Sequence, residues 1–223
     1  MNLKQLIFPP RCPFCGRIMK REEPCEPCLK AATELTSIVC GSCGADPEHC
    51  GCNGRTFAFR RNVSAFLYER SPRNLLLRFK QRKKPQLAEF MSRRMYFHIL
   101  ARLGTDFSVI TFVPQTRKKW LQRGFCPAQL LAKNLSERLN IECKSLLRRK
   151  GGGEQKYVKG NDRWANAKRN YTLQKNAKTS GRVLLVDDLM TTGATLDACA
   201  SLLLKAGAEE VYCATFAVTA KKG

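Results

Sequence analysis

The sequence predicts an α/β protein with a mostly parallel sheet, preceded by a small cysteine-rich module. Residues 182–216 have the pattern strand, helix, strand, which is the unit that builds parallel sheets. Eight of the 12 cysteines lie within the first 52 residues, in closely spaced pairs typical of small zinc-binding folds. The 223 residues suffice for one medium domain plus an appended module. We therefore expect a zinc-binding module at residues 1–56 and an α/β domain at residues 57–223.

The cysteine pairs predict two structural zinc sites. A Cys-x-x-Cys turn places two thiolates on one tetrahedral ion, and two such turns complete its ligand shell. Sequential pairing gives one site from Cys12, Cys15, Cys25 and Cys28, and a second from Cys40, Cys43, Cys50 and Cys52. The Cys50-x-Cys52 pair is tighter than the others, so His49 is an alternative ligand of the second site. A disulfide scaffold is the rival interpretation, but no secretion signal supports it.

Apolar periodicity predicts the elements that follow the cysteines. These are a strand at 63–68, a helix that begins at Pro72 and ends before the basic run 82–85, a helix at 86–103, a strand at 109–113, and a helix that begins at Pro127. Residues 148–178 have little periodicity and predict a loop or a short ribbon. The last quarter predicts a strand at 182–186, a helix at 196–205 ended by Gly207, and a strand at 211–216. The four later cysteines, Cys126, Cys143, Cys199 and Cys213, fall in apolar patterns and are expected in the core.

The charge indicates an anionic partner. Lys and Arg number 40 against 18 Asp and Glu, a net charge of +22. The excess is greatest at 117–182, with 18 basic and four acidic residues. Such a field favours encounters with DNA, RNA or phosphorylated metabolites, while a solvated basic face is the alternative. The apolar stretch before Pro9 is too short for a signal peptide, and no later stretch reaches the length of a membrane span. We expect a cytoplasmic protein.

The segment after the predicted strand at 182–186 has the features of a phosphate site. Asp187 and Asp188 come directly after four apolar residues, and a run of small and hydroxyl residues then precedes a helix. Hydroxyls, a glycine that admits close backbone approach and a helix N-terminus together suit a monophosphate. The run is Thr191, Thr192, Gly193, Ala194 and Thr195. The acidic pair needs a ligand with hydroxyl donors or a cation, as a Mg²⁺-bound ribose phosphate offers. A threonine N-cap with two solvated aspartates is the alternative.

This segment resembles the signature of type I phosphoribosyltransferases. The resemblance implies that Asp187 and Asp188, the catalytic candidates, bind the ribose hydroxyls of phosphoribosyl pyrophosphate, with Mg²⁺. The threonine-glycine loop would then hold the 5-phosphate. In relatives a second element, after a strand like the one predicted at 109–113, binds pyrophosphate. By resemblance this role falls to Gln115, Thr116, Arg117 and Lys118.

The chain as a whole resembles the ComF competence family. The shared pattern is the cysteine knuckles, Tyr68-x-x-x-Pro72-x-x-x-Leu76, Lys80, Val113-Pro114, Arg123-Gly124-Phe125, and then Gln155, Arg163 and Asn166 before the phosphate motif. Relatives usually continue Arg-Gly-Phe with Asn-Gln, whereas this chain has Cys126-Pro127. The resemblance implies a role in natural transformation, the uptake and processing of single-stranded DNA, with other competence or recombination proteins as partners.

Two function classes follow. The first is a DNA-handling competence protein in which aromatic rings stack bases and basic side chains follow the backbone. Its candidate residues are Arg123, Lys156, Tyr157, Lys159, Arg163, Trp164, Lys168 and Arg169, near Tyr171. Alternatively, these rings close the hydrophobic core. The second class is an active transferase that releases pyrophosphate, with Mg²⁺ and Arg117, Lys118 or Lys119 stabilising the leaving group. The sequence contains no clear base-recognition segment.

Overall fold

The computed structural model describes residues 9–36, 38–150 and 162–220, without the side chains of residues 162 and 163. The helices of these ranges are α1 (Glu26–Lys30), α2 (Arg70–Lys80), α3 (Leu87–Arg102), α4 (Arg117–Arg123), α5 (Pro127–Leu139), α6 (Asp162–Asn170) and α7 (Ala194–Lys205). The strands are β1 (Arg61–Leu67), β2 (Val109–Phe112), β3 (Leu147–Arg149), β4 (Tyr171–Leu173), β5 (Arg182–Met190) and β6 (Glu210–Val218). None of the described helices has the length and apolar content needed to cross a membrane.

Four strands form a parallel sheet in the order β1-β6-β5-β2. The unit β5-α7-β6 supplies its two central strands, as the pattern at 182–216 predicts. Residues 183–186 of β5 are completely buried, because helices cover a parallel sheet on both faces. The predicted α/β fold with a parallel sheet is therefore confirmed.

Loop segments cover both edges of the sheet. The amide of Leu35 donates to the carbonyl of Ala65 in β1 at 3.0 Å. At the other edge, the amide of Lys144 donates to the carbonyl of Ile110 in β2 at 2.9 Å. Paired edges prevent the sheet from adding strands from another chain, and they leave the carboxyl ends of the strands as its open side.

The cysteine-rich region packs directly on the sheet. Phe14 is fully buried, with its ring centroid 5.8 Å from that of Phe66 in β1 and 5.5 Å from that of Phe90 in α3. The buried Asn62 side chain donates to the carbonyl of Cys43 at 2.8 Å. The two regions thus share one hydrophobic core, and the boundary at residue 56 stays a prediction.

Three described helices were not expected from the sequence, the short α1 in the cysteine-rich region, α4 and α6. Helix α6 lies in the segment predicted as a loop or ribbon, and its contact with α7 uses small residues, Ala167 against Ala194 and Ala198. Helix α4 has no buried residue. A contact made by alanines and a helix without buried residues both lack an apolar stripe, so periodicity does not detect α6 or α4. The antiparallel pair β3 and β4 flanks α6, in agreement with the predicted short ribbon.

The two central strands are longer than predicted. β6 continues to Val218, and β5 pairs with it as far as Met190. Asp187 therefore lies opposite Thr215 inside the sheet and not in the loop that follows β5. Only residues 191–193 separate the strand from α7, so the acidic pair and the threonine loop are held by regular structure at both ends.

Candidate functional site

A cavity of about 400 Å³ opens at the carboxyl ends of β2 and β5. Ligand sites of open α/β sheets occur at the carboxyl ends of the strands. The cavity is lined by two carboxylates, four cations and two hydroxyls of the phosphate motif. These are Asp187, Asp188, Lys80, Lys119, Arg123, Arg149, Thr191 and Thr195. With two acids against four bases, the lining favours a ligand that has both hydroxyl donors and several negative charges.

The two aspartates have different partners. Asp188 is 5% exposed, and its Oδ1 lies 2.8 Å from the Nζ of Lys80 at the end of α2. Asp187 accepts a hydrogen bond from the amide of Asp188 at 2.8 Å. Burial, followed by the negative charge of Asp188, raises the pKa of Asp187. A nearby cation or hydroxyl donor would stabilise the ionised form of Asp187, and a bound ligand would supply such a group.

The cations of the cavity repel one another. Burial lowers the pKa of Lys119, and the charges of Arg149, Arg123 and Lys80 lower it further. At Lys80 burial acts in the same direction, but the carboxylate of Asp188 outweighs it and raises the pKa of the ammonium. The Lys119 side of the cavity is therefore the part with uncompensated positive charge, and an anionic ligand would stabilise it.

A hydrogen-bond network fixes α4 beside α2. Arg123 donates from Nε to the carbonyl of Lys80 at 3.0 Å and from Nη1 to the Oε1 of Gln115 at 3.1 Å. The amide group of Gln115 donates to the carbonyl of Phe125 at 2.6 Å. Gly124 ends α4 with a φ of 84°, which favours glycine. Arg123 thus positions Lys80 as well as contributing its own charge.

The threonine loop lies between β5 and α7. Thr191 and Thr195 line the cavity, and no side chain caps α7 at its N-cap residue Gly193. Thr192 accepts a hydrogen bond from the amide of Ala194 at 3.4 Å. Gly193 has a φ of 80°, and a Cβ there would lie 2.7 Å from the Phe57 ring. The loop therefore presents hydroxyls and helix-terminal amides, of which the amide of Ala194 is already bonded to Thr192.

The segment assigned to pyrophosphate has an unexpected form. Gln115 lines the cavity, but Thr116 is the N-cap of α4, accepting a hydrogen bond from the amide of Lys119 at 3.3 Å. Arg117 and Lys118 are exposed residues of the helix that follows and do not line the cavity. The cations of α4 that do line the cavity are Lys119 and, one turn later, Arg123.

Only some of the nucleic-acid candidates can be placed. Lys156, Tyr157, Lys159 and the side chain of Arg163 lie outside the described residues, as does Gln155 of the pattern shared with the ComF family.

Lys168 and Arg169 are exposed on α6. The guanidinium carbon of Arg55 lies over the ring of Trp164, 4.2 Å from the ring centroid. The ring centroids of Trp164 and Phe57 are 6.0 Å apart. Trp164 therefore lines a second cavity, which has a volume of about 540 Å³ and shares Thr191 with the first cavity.

Several cavity residues were not expected at this site from the sequence, although Lys80 belongs to the pattern shared with the ComF family. Lys80 comes from α2, Arg149 from β3 and Tyr171 from β4, far from the phosphate motif along the chain. The ring of Tyr171 is 5% exposed, and its hydroxyl accepts a hydrogen bond from Arg149 at 3.2 Å. Cys126 directs its buried thiol to the carbonyl of Val113 at 3.9 Å.

The cysteines form the two predicted clusters. In each set of four, the sulfurs lie within 4.8 Å of one another. The sets are Cys12, Cys15, Cys25 and Cys28, and Cys40, Cys43, Cys50 and Cys52. Contacts such as Cys15 to Cys25 at 3.8 Å match the separation of roughly 3.8 Å that a tetrahedral ion with zinc–sulfur bonds of about 2.3 Å requires. His49 does not join the second cluster, because its Nδ1 lies 2.6 Å from Asp46.

The protein surroundings favour a thiolate at one cysteine of each cluster, whereas burial and the neighbouring cysteines raise the pKa of Cys28, Cys43 and Cys52. Burial alone would raise the pKa of Cys12, but backbone amides of its own turn and of Cys25 lower the pKa to about 7. Amides of the 40–43 turn act in the same way on Cys40. Arg78 donates to the carbonyl of Cys12 at 3.1 Å, which places a positive charge beside the first cluster. Both clusters fit a structural zinc ion with four protein ligands.

Comparisons with known proteins agree with the two parts of this architecture. The family model described as a phosphoribosyl transferase domain matches residues 121–223, and the model described as a double zinc ribbon domain matches residues 3–57. Adenine phosphoribosyltransferase from Saccharomyces cerevisiae is similar in structure over 62% of this chain and 71% of its own, with 18% identity and a TM-score of 0.40.

Two curated relatives extend over most of the chain. The DNA utilization protein YhgH of Escherichia coli K12 is 29% identical over 203 residues, covering 85% of this chain and 88% of its own. Competence protein F of Haemophilus influenzae is 30% identical over 216 residues, covering 90% of this chain and 93% of its own. The chain therefore belongs to the competence protein F family, with a phosphoribosyltransferase domain and an N-terminal double zinc ribbon.

Proposed function

We propose that this protein handles incoming single-stranded DNA during natural transformation and binds phosphoribosyl pyrophosphate with Mg²⁺ in the cavity at the end of β5. The observation that carries the ligand assignment is the arrangement of charge in that cavity. Asp187 and Asp188 line the cavity together with Lys119, Arg123 and Arg149. A sugar with hydroxyls between a phosphate and a pyrophosphate matches both kinds of group.

Each part of the ligand has a complementary set of residues. The ribose hydroxyls are assigned to Asp187 and Asp188, and the 5-phosphate to the loop that contains Thr191 and Thr195. The pyrophosphate is assigned to the cationic side of the cavity. Mg²⁺ would neutralise part of the pyrophosphate charge, and it prefers oxygen ligands of the kind that the phosphates and the aspartates offer.

Calorimetry with phosphoribosyl pyrophosphate and Mg²⁺ tests this site. We expect saturable binding that requires Mg²⁺ and is lost in Asp187→Asn with Asp188→Asn. The control is Asp106→Asn, which removes a carboxylate that is 91% exposed and far from the cavity lining. Binding that survives the double substitution would show that the site is elsewhere.

The DNA role is supported by charge and by relationship. The net charge of +22 favours a polyanion, and the relatives are named as a competence protein and a DNA utilization protein. We expect oligonucleotide affinity to fall steeply with salt, because each phosphate contact releases counterions. Affinity that is independent of salt between about 50 and 200 mM would contradict this role. The same proposal places the protein in the cytoplasm, where it meets the DNA strand and other competence or recombination proteins.

The two cysteine clusters are proposed to hold one zinc ion each. Four protein ligands leave no open position, so the metal would stabilise the fold. Metal analysis should give two zinc ions per chain, and Cys12→Ser should reduce this to one. A folded protein that contains no zinc would contradict the assignment.

A catalytic transferase is the second candidate, and the second cavity favours it. That cavity has Trp164 and Phe57 in its lining, which suit a planar acceptor, and it shares Thr191 with the first cavity. In such a reaction an acceptor nitrogen bonds to carbon 1 of the ribose, the bond from that carbon to the pyrophosphate oxygen breaks, and pyrophosphate leaves. Pyrophosphate release measured across nucleobases and amines decides between binding and turnover. If no acceptor causes pyrophosphate release, catalysis with the acceptors tested is excluded.

A further inference from the structure

Helix α4 (Arg117–Arg123) exposes apolar side chains. It has no buried residue, Trp120 is 48% exposed, and Leu121 is 65% exposed. A helix of a globular protein normally buries its apolar face against the core. Here an indole and a leucine are both exposed to solvent on one short helix that buries neither of them, which is unusual enough to suggest an interaction site.

The charge around these two side chains limits what can cover them. The helix sequence RKKWLQR has basic residues at Arg117, Lys118, Lys119 and Arg123 and none that is acidic. A second copy of this chain, which also has a charge of +22, would be repelled. A polyanion would be attracted, and one that also offers planar rings would use the indole as well as the charge.

Single-stranded DNA has both properties. Its phosphates can follow the basic side chains while an unpaired base stacks on a tryptophan. A duplex satisfies the same charges, but its bases are stacked on each other and have no free face for the indole.

The helix is also held rigidly from its other side. Thr116 caps its N-terminus, and Arg123 anchors its last turn to the carbonyl of Lys80 at 3.0 Å and to Gln115 at 3.1 Å. A rigid support lowers the ordering cost of binding. Trp164 lacks this openness, because the guanidinium of Arg55 already covers one face of its ring at 4.2 Å.

We propose that α4 is the single-stranded DNA contact of this protein, with a base stacked on Trp120 beside Leu121 and the backbone near Arg117. This inference rests on the proposed DNA-handling function and assigns it to one helix. It places the main stacking surface at Trp120 and not at Trp164.

The two tryptophans of the chain allow a test by fluorescence. In the full zinc-loaded protein, Trp164→Phe leaves Trp120 as the sole indole, and Trp120→Phe leaves Trp164. We expect an oligo-dT of about 20 nucleotides to quench the first variant strongly and the second weakly. Quenching confined to the variant that retains Trp164 would overturn the assignment to α4 while leaving the DNA-handling function in place.

Affinity measurements complete the test. Trp120→Ala should weaken oligo-dT binding roughly 5- to 150-fold, the range of one base–aromatic stack. Phe97→Ala is the matched control, since it removes a ring that is 54% exposed on α3, and it should leave affinity unchanged. Arg117→Gln should reduce the slope of log K against log salt by roughly 0.7. Wild-type affinity in Trp120→Ala would overturn the inference, whereas no oligo-dT binding by any form would overturn the DNA-handling function itself.

Discussion

The ammonium of Lys80 lies 2.8 Å from the carboxylate of Asp188. Lys80 is the last residue of α2, and Asp188 lies near the carboxyl end of β5. The pair joins a helix that contacts the first cysteine cluster, through Arg78 and Cys12, to the strand that carries the acidic pair. The stability of the candidate site and its ligand affinity should therefore depend on a residue 108 positions away in sequence.

Replacing Lys80 with Met should destabilise the protein. Asp188 is 5% exposed, and without its partner it would be a buried charge with no nearby cation from α2. Removing one member of a buried pair costs about 3 to 5 kcal/mol, because the other member is left as an uncompensated buried charge. Urea unfolding measures the loss, and adding Asp188→Asn to Lys80→Met should recover part of it. Purely additive effects of the two substitutions would show that the ion pair does not contribute.

Anion binding should weaken at high pH through Lys119. Burial and the neighbouring charges of Arg149 and Arg123 lower the pKa of this ammonium. A bound anion favours the charged form, so affinity is fully present below the pKa of the free protein and is lost as pH rises through the pKa of the complex. The loss should begin below the ordinary lysine pKa of about 10.4. Calorimetry with pyrophosphate measures it.

Lys119→Arg is the control for this pH effect. Arginine keeps its charge throughout the range, so the difference in affinity between wild type and this variant should grow with pH. Comparing the two proteins in the same buffer cancels the ionisation of pyrophosphate itself. Parallel pH profiles would assign the effect to another group.

Glu34 should contribute to stability in a pH-dependent way. Burial would raise the pKa of its carboxyl, but hydrogen bonds from His98 and Arg94 on α3 outweigh burial and lower the pKa. The contribution is present above the unfolded-state pKa of about 4.3 and is lost as pH falls through the lower folded-state pKa. Glu34→Gln should cost about 2 kcal/mol at pH 7 and progressively less below pH ~4.

Denaturant unfolding at several pH values measures this effect. Glu89→Gln serves as the comparison, because Glu89 also pairs with an arginine, Arg138, but its side chain is 63% exposed. An exposed pair contributes about 0 to 1 kcal/mol, so this variant should have a small effect at every pH. Equal losses in the two variants would contradict the prediction.

Gly44→Ala should displace the second cysteine cluster. Gly44 has a φ of 75°, and a Cβ there would lie 2.5 Å from the backbone oxygen of Asn62. Gly54 has a similar φ of 71° with no heavy atom within 4 Å of that position. Gly54→Ala therefore measures the backbone strain alone, about 1 kcal/mol, and Gly44→Ala adds the steric clash. Thermal unfolding and zinc content should both fall further in Gly44→Ala, and equal effects would exclude a role for the clash.

The strongest local patterns predicted the elements that they encode. Residues 183–186 are apolar at every position, as a central parallel strand requires, and the helix that ends before Gly207 follows at the spacing of a βαβ unit. The cysteine spacing predicted the two clusters, because ligands of a small metal site are close in sequence. Helix α6 escaped prediction because its buried contact uses alanines, and the end of β5 was misplaced because pairing with β6 extends it.

The sequence by itself determined the α/β class, the two cysteine clusters and the phosphate motif, since each depends on residues that are neighbours along the chain. Only the tertiary structure decided which cations meet the acidic pair. Lys80, Arg123 and Arg149 reach the cavity from α2, α4 and β3, and no short-range pattern relates them. The same holds for the exposed Trp120, because burial depends on the packing of distant elements and not on the identity of the residue.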